Sequence, residues 1–569
     1  MTDESRGTTG APRALPLPGA ATRPLPEAAT RRLPGAGTRR SFLIGAGALG
    51  AAGALAGCVP GARGATGTVP GTSAKDVLVI AMTASDIPIL DTGLSSNQGY
   101  EGTRFVGNQL WDGLTRFDLR QATEIPPVVP GLATGWTVAA NKTDWTFTLR
   151  EGVTFHDGTP FDADAVVFNF ERYLDKTSPH YYPALNSQAG LAISGIKAVR
   201  KTGPMTVVIS TDGPLSYLPS NLTTVLLASP TAVRRYGNEG FQKHPVGTGP
   251  FMYQSVTRGQ QLVMKANPSY WRGRPKVGYV VLLPIPDATA RVAALRAGQV
   301  DWIEVPPPDD VPGLSKEGYQ VLTNSYDHVW PWIIDTAKKP FDDVRVRQAM
   351  NYAIDREALT KDVLQGTADP EYQAVARANA AYRPKNNVYR HDPAKARRLL
   401  AAAGYPHGFT ASLSYPTSGS GNMVPIPMNE ALQQNLAEVG IKVKLEPIEW
   451  ASMISSYYVG KIPGGADLIN ISLTMQQEGF WASFFGGDSP LNVSHYKNAK
   501  VDALFAQAKA TFDDTRRSDL YAEAVEILTD QAPWVFIVDD RNPRALLGSV
   551  RGFVEPKSWF CDLTTVHLD

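Results

Sequence analysis

The stretch "TFHDGTPFDADAV" (Thr154–Val166) brings His156, Asp157, Asp162 and Asp164 close together in the chain. An imidazole among carboxylates is the material of metal sites and of acid–base catalysis. A zinc site on a helix wants two ligands at a spacing such as i, i+4, and no second histidine is at hand. The other histidines stand alone at 180, 244, 328, 391, 407, 495 and 567. "HDGTP" is turn material, because Asp and Gly tolerate tight geometry and Pro restricts the residue before it. Asp162 and Asp164 fall where a helix begins, and negative charge there complements the helix dipole. The segment reads as a turn and a helix start.

Other nucleophilic or phosphate-binding patterns fare no better. "TSGSGN" (Thr417–Asn422) sets a serine between glycines without the full G-x-S-x-G frame, and reads as a loop. No Walker loop or dinucleotide fingerprint appears, so nucleotide hydrolysis is not expected of this chain. Neither a metal nor a cofactor is expected.

At 569 residues the chain exceeds what one hydrophobic core supports, and two or three domains are expected. Its 43% hydrophobic and 19% charged residues are ordinary for a soluble globular protein. The first 57 residues hold seven arginines against Asp3, Glu4 and Glu27, a net +4, which leaves −3 for the remainder of a chain of net charge +1. There is no basic stripe, and nucleic-acid binding is not expected.

Residues 1–37 are rich in Pro, Gly, Ala, Thr and Arg and cannot build a core. Next comes "TRRSFLIGAGALGAAGALAGC", in which Arg39–Arg40 precede a short apolar run, Phe42–Ala56. The run is too short and weakly hydrophobic for a membrane span and reads as an export signal, one that resembles the twin-arginine (Tat) type. Its end, "LAGC", resembles the lipobox of bacterial lipoproteins, which implies a lipidated Cys58 at the mature N-terminus. Cys561 is the sole other cysteine, so no internal disulfide is expected. Acyl chains on Cys58 would hold the protein at a membrane face, each buried CH₂ contributing about 0.8 kcal/mol. Residues 59–74 read as a flexible tether.

Beyond the tether, "DVLVIAM" (Asp76–Met82) has the β-branched character of a buried strand. Trp136 and Val138, then Trp145, Phe147 and Leu149, alternate with polar residues across an Asn-Lys-Thr turn, which predicts a β-hairpin with one buried face. Val166, Phe170 and Leu174 have helical spacing, with Asp162 as cap. "GTGPFMYQSV" and "GQQLVMKANPSYW" predict a second hairpin. From about Ser325, apolar strands alternate with amphipathic helices, and Leu432–Gly440 followed by Ile441–Leu445 is the αβ step of an α/β domain.

In sequence order, "PGLATGWTVAANKTDWTFTLREGVTFHDGTPFDADAVVF", "PVGTGPF", "NPSYWRGRPKV", "RVAALRAGQVDW", "KPFDDVRVRQAMNYAIDREAL" and "DPAKARRLLAAAGY" resemble the bacterial family 5 extracellular solute-binding proteins, the peptide/nickel-type receptors of ABC importers. The resemblance runs from about Val77 to the C-terminus. It implies an α/β, two-lobed periplasmic-binding-protein-like fold (type II, in the large three-domain form) with a β-rich insertion domain and ligand between the lobes. The corresponding division is 1–57 leader, 58–75 tether, 76–118 first part of lobe 1, 119–228 its inserted domain, 229–326 its second part, 327–540 lobe 2 and 541–569 a return to lobe 1.

In the dipeptide-binding branch of the resembled family, an arginine and an aspartate grip the ligand's two charged ends. The matching positions fall near Gly419 and near Thr474–Met475, and neither charge is present. The resemblance therefore implies a neutral, amide-rich site of Thr474, Met475, Gln476 and Gln477, suited to a hydroxyl- or amide-bearing solute. Trp330 and Trp332 share a strand face, which serves either as a stacking wall for ligand or as domain core, and Tyr415 and Asn97 are read as further contacts. The expectation is a monomeric, lipid-anchored, extracytoplasmic solute-binding protein that hands a small solute, peptide-like or otherwise polar, to a membrane permease. It is expected not to be an enzyme. The alternatives are a solute-sensing receptor and a secreted hydrolase.

Overall fold

The computed structural model describes residues 67–569. Cys58, the leader and most of the tether lie outside the described residues, so the expectations placed on them are not addressed by it. The strand Val77–Met82 is buried at every residue, as its apolar, β-branched sequence predicts. It pairs in parallel with Tyr279–Pro284 on one side and Trp302–Glu304 on the other. Around it grows a seven-stranded sheet in the order Gln320–Leu322, Arg544–Leu546, Trp302–Glu304, Val77–Met82, Tyr279–Pro284, Gln261–Ala266, Phe251–Thr257. The last two strands are the second hairpin read from sequence, in register Phe251 to Ala266.

A four-stranded antiparallel sheet stands beside it, in the order Ala133–Val138, Asp144–Leu149, Thr206–Thr211, Ile196–Gly203. Trp136 pairs with Phe147 and Val138 with Trp145, so the alternating apolar residues share a face. That face packs on the helix Ala163–Leu174 through Val166, Phe170 and Tyr173. Asp162 caps this helix by accepting the N–H of Ala165 at 2.9 Å, a contact typically contributing about 1 kcal/mol.

The second half of the chain builds another seven-stranded sheet, ordered Ala368–Pro370, Trp534–Asp540, His328–Ile334, Leu468–Asn470, Phe409–Pro416, Ile441–Ile448. Leu473–Thr474 adds to the His328 strand. The αβ step is formed by the helix Pro425–Glu438, the turn residue Gly440 at φ +89°, and the strand from Ile441. Gly440 supplies a left-handed conformation that side-chain-bearing residues resist.

The two large sheets define two lobes, and the chain passes between them twice, through residues 323–327 and 541–543. The two crossings run side by side. The Tyr326 hydroxyl donates to Asp540 at 3.0 Å, and the N–H of Asn324 donates to the carbonyl of Arg541 at 3.2 Å. Behind them, buried Arg104, Glu304 and Arg544 and the largely buried Glu555 form an alternating charge ladder. Burial opposes ionisation of Glu304, but the guanidiniums of Arg104 and Arg544 outweigh it and hold its carboxyl below the usual range. Cys561 is buried and without a disulfide, and burial pushes its thiol up to about 12. Among the described residues, no helix is long and apolar enough to cross a membrane.

Candidate ligand-binding cleft

The His-Asp segment folds as a turn. The Asp157 carboxylate accepts the N–H and hydroxyl of Thr159, at 3.1 and 2.6 Å, while Gly158 takes φ +82°. His156 donates from Nε2 to the carbonyl of Gly249 at 3.0 Å and accepts the N–H of Gly247 at Nδ1. Burial lowers its pKa to about 4, so it stays neutral at ordinary pH. Among the described residues, no group of three or more His, Cys, Asp or Glu is arranged to hold a metal ion.

The chemistry of recognition gathers instead where the lobes meet. The loop Ser418–Asn422 leaves the lobe 2 strand Phe409–Pro416 and lies against lobe 1, with Gly419 at φ +106° and Gly421 at φ +75°. A Cβ on Gly419 would stand 2.4 Å from Trp450, and one on Gly421 would stand 2.6 Å from His328. Glycine is needed at both for conformation and for room. The Ser420 hydroxyl accepts the N–H of Glu101 at 3.1 Å, a bond from lobe 2 to lobe 1.

Beside this bond lies a cavity of about 60 Å³. Lobe 1 contributes Tyr100 and Trp559 to its wall; lobe 2 contributes Trp450, Tyr457, Tyr458 and Phe480. Trp450, Ile454 and Tyr457 reach it from one face of the helix Trp450–Tyr458, which Glu449 caps through the N–H groups of Ala451 and Ser452. Polar wall is supplied by His328, Ser420, Ser472 and Thr474. The His328 ring packs against both Tyr326 and Trp559, at centroid distances of 5.3 and 4.8 Å, and those two rings are 6.0 Å from each other. Its Nδ1 is 3.4 Å from Asp540.

Of the residues read from sequence as ligand contacts, Thr474 lines this cavity. Trp330 and Trp332 are 0% exposed in the core of lobe 2 together with Tyr415; Trp332 donates from its indole to Asn429 at 2.7 Å. Asn97 accepts the N–H of Ile89 at 2.9 Å, and Met475 is buried in a lobe 2 cluster. The glutamines are engaged across the cleft. Gln477 donates to Ser220, Thr223 and Thr224 of lobe 1 at 3.2 to 3.3 Å, and Gln476 accepts the hydroxyl of Ser558 at 2.8 Å. Glu478 pairs with Arg517 at 3.1 Å. The aromatic wall carries no signal of its own in sequence, because Trp450, Ile454 and Tyr457 have the spacing of any buried helix face.

Residues 127–515 match the family described as bacterial extracellular solute-binding proteins, family 5 Middle. Heme-binding protein A of Haemophilus influenzae is 30% identical over 480 residues, covering 80% of this chain and 86% of that protein. Glutathione-binding protein GsiB of Shigella flexneri is 31% identical over 500 residues, covering 84% and 92%. Among solved structures, the ABC transporter-associated periplasmic binding protein DppA from Helicobacter pylori, in complex with the peptide STSA, aligns with a TM-score of 0.75 at 26% identity, covering 86% of this chain and 98% of that one. With two lobes, two crossings and a cavity walled from both sides, the chain belongs to the bacterial extracellular solute-binding proteins of family 5.

Proposed function

We propose that the protein is the capture component of an ABC importer, closing two lobes over a small solute and presenting the closed form to a membrane permease. The observation that carries this is a cavity whose wall is drawn from both lobes beside a pair of short crossings, so that closure itself completes the site. Binding energy goes into biasing an open–closed equilibrium, and the protein performs no covalent step. Thr474 touches the solute, while Gln476 and Gln477 fasten the lobes over it. The relatives' names point to peptide, glutathione and heme as family cargoes. The missing charged anchors near Gly419 and Thr474–Met475 argue against a free dipeptide here.

Outside the described residues, the leader is a Tat-type export signal and Cys58 is the lipidated anchor of a monomer held at the outer face of the cell membrane. X-ray scattering tests capture: small molecules released from natively purified protein should shrink the stripped protein's radius of gyration when returned. No change with any released compound would sink the receptor reading. Cys58→Ser should free the protein from membranes, and retention at the wild-type level would refute the anchor.

A further inference from the structure

Resting on the reading of the cleft as the solute site, we propose that its solute is an uncharged compound with a flat apolar body, aromatic or similar, bearing two or more hydrogen-bond acceptor groups.

The wall supplies the flat body. Seven Phe, Tyr and Trp rings, those of Tyr100, Trp450, Tyr457, Tyr458, Phe480, Phe484 and Trp559, face one small space. Such rings give large contact area and favour stacked or edge-on partners. Leu191, Ile454 and Leu473 add aliphatic surface.

The absence of charge in the solute follows from what the wall does not offer. Among the described residues, no Asp, Glu, Lys or Arg lines the cavity. The acids near it are already committed. Glu101 accepts the N–H groups of Thr83 and Ala84 and the hydroxyl of Thr83, at 2.7 to 3.1 Å. Asp540 accepts from Tyr326 and from the N–H of Asn542. Glu478 is paired with Arg517. His328, the one lining imidazole, stands with Nδ1 3.4 Å from the carboxylate of Asp540. Burial raises the phenols of Tyr100 and Tyr457 well above their usual range and that of Tyr458 to about 12, so all three stay neutral. A carboxylate or ammonium entering here would lose its water with no opposite charge to meet.

The acceptor groups follow from three buried donors. Trp450 Nε1, Trp559 Nε1 and the Tyr457 hydroxyl are buried without a hydrogen-bond partner, and all three residues line the cavity. An indole N–H only donates, so a solute that satisfies it brings an acceptor oxygen or nitrogen. Leaving such donors unpaired is costly, and a solute that pairs them in the closed form gains that difference.

The test uses four probes sharing one ring and differing in charge: N-acetyl-L-tryptophanamide (neutral), tryptamine (cation), N-acetyl-L-tryptophan (anion) and L-tryptophan (zwitterion). Binding to the stripped full-length protein is measured by calorimetry. The neutral probe should bind at least about tenfold tighter than each of the others, and Trp450→Phe and Tyr457→Phe should each weaken it by about five- to tenfold, the loss of one neutral hydrogen bond. Both variants keep a ring in place, and an unchanged melting profile confirms that they fold. A charged probe that binds as tightly as the neutral one overturns the proposal, as does failure of the neutral probe to bind at millimolar concentration, or indifference of both variants. Scattering separates the two readings: a charged probe that closes the lobes sinks the solute class and leaves the receptor standing. If neither the probes nor any compound released from natively purified protein closes them, both fall.

Discussion

The imidazole of His328 and the indole of Trp559 lie face to face, with centroids 4.8 Å apart and planes 24° apart, and they belong to different lobes. Tyr326 completes the cluster, 5.3 Å from the imidazole and 6.0 Å from the indole, and the Arg104 guanidinium sits 4.1 Å from the indole. The contact joins the two lobes at the wall of the cavity. Replacing Trp559→Leu keeps apolar volume in lobe 1 and deletes the stack. Aromatic pairs contribute about 0.5–1.5 kcal/mol beyond area burial, so solute affinity should fall by about three- to tenfold. Titration of wild type and variant with the solute released from the native protein checks this, and equal affinities would refute it.

Gly99 tests closure from the other side. It sits in lobe 1 at φ +82°, and a Cβ there would lie 2.7 Å from Ser420 Cβ and 3.1 Å from Trp450, both of lobe 2. Gly99→Ala therefore carries two penalties. Backbone strain acts whether the lobes are open or closed, and the wedge acts only when they close. A modest drop in melting temperature should accompany a solute affinity at least about tenfold weaker, with a scattering radius that stays large when solute is added. A variant that binds and contracts like wild type would show that the lobes do not meet at Gly99.

At the outer rim, Phe512 of lobe 2 stacks on Trp145 of the four-stranded sheet at 5.8 Å, and the Lys142 ammonium lies 4.7 Å from the centre of the Phe512 ring. Phe512 lies away from the cavity wall, so Phe512→Ala leaves the site's composition untouched. It should nonetheless weaken solute binding by about three- to tenfold, through faster release, because the contact ties the two lobes together. Stopped-flow release rates decide the matter. An unchanged off-rate would place this contact outside the closing motion.

What could be read from sequence was what is set locally. Asp162 caps the helix it precedes, and Trp136, Val138, Trp145 and Phe147 alternate as a hairpin because strand period and turn length fix their pairing. The cavity wall depends on contacts hundreds of residues apart. Nothing in "WASMISSYY" distinguishes a helix face that meets a solute from one that meets core. Trp330 and Trp332 do fall in one cluster, but alternation cannot say which side of the sheet it occupies, and here it is the lobe 2 interior. Gln477 is read as a solute contact for its amide, yet that amide is held by lobe 1 residues some 250 positions earlier.

Asp327, Glu371 and Asp539 place three carboxyl groups in the interior of lobe 2, on or beside the strands that carry His328 and Asp540. Burial is the main reason their affinity for protons rises, Asp327 to about 7, Glu371 to about 8 and Asp539 well above its usual range; for Glu371 and Asp539 the neighbouring acids add to it. Unfolded carboxyls titrate near pH 4. Between about pH 4 and pH 8 the folded protein thus holds protons that the unfolded chain has released, so stability is complete below that window and falls as pH rises through it. Two groups act in the opposite sense at lower pH. Neutral His156 favours unfolding below about pH 6.5, and Asp562, held near 2 by Arg272 and Thr564 despite burial, loses its contribution in acid. From about pH 6.5 to pH 8.5 the buried acids dominate, and the melting temperature should fall across that interval. In Glu371→Gln the amide oxygen can still accept the N–H groups of Tyr372 and Gln373, now bound by the carboxylate at 2.7 and 3.1 Å, but it cannot ionise. Its melting temperature should therefore decline less steeply than that of wild type over the same interval, and parallel slopes would show that Glu371 holds no proton in the folded state.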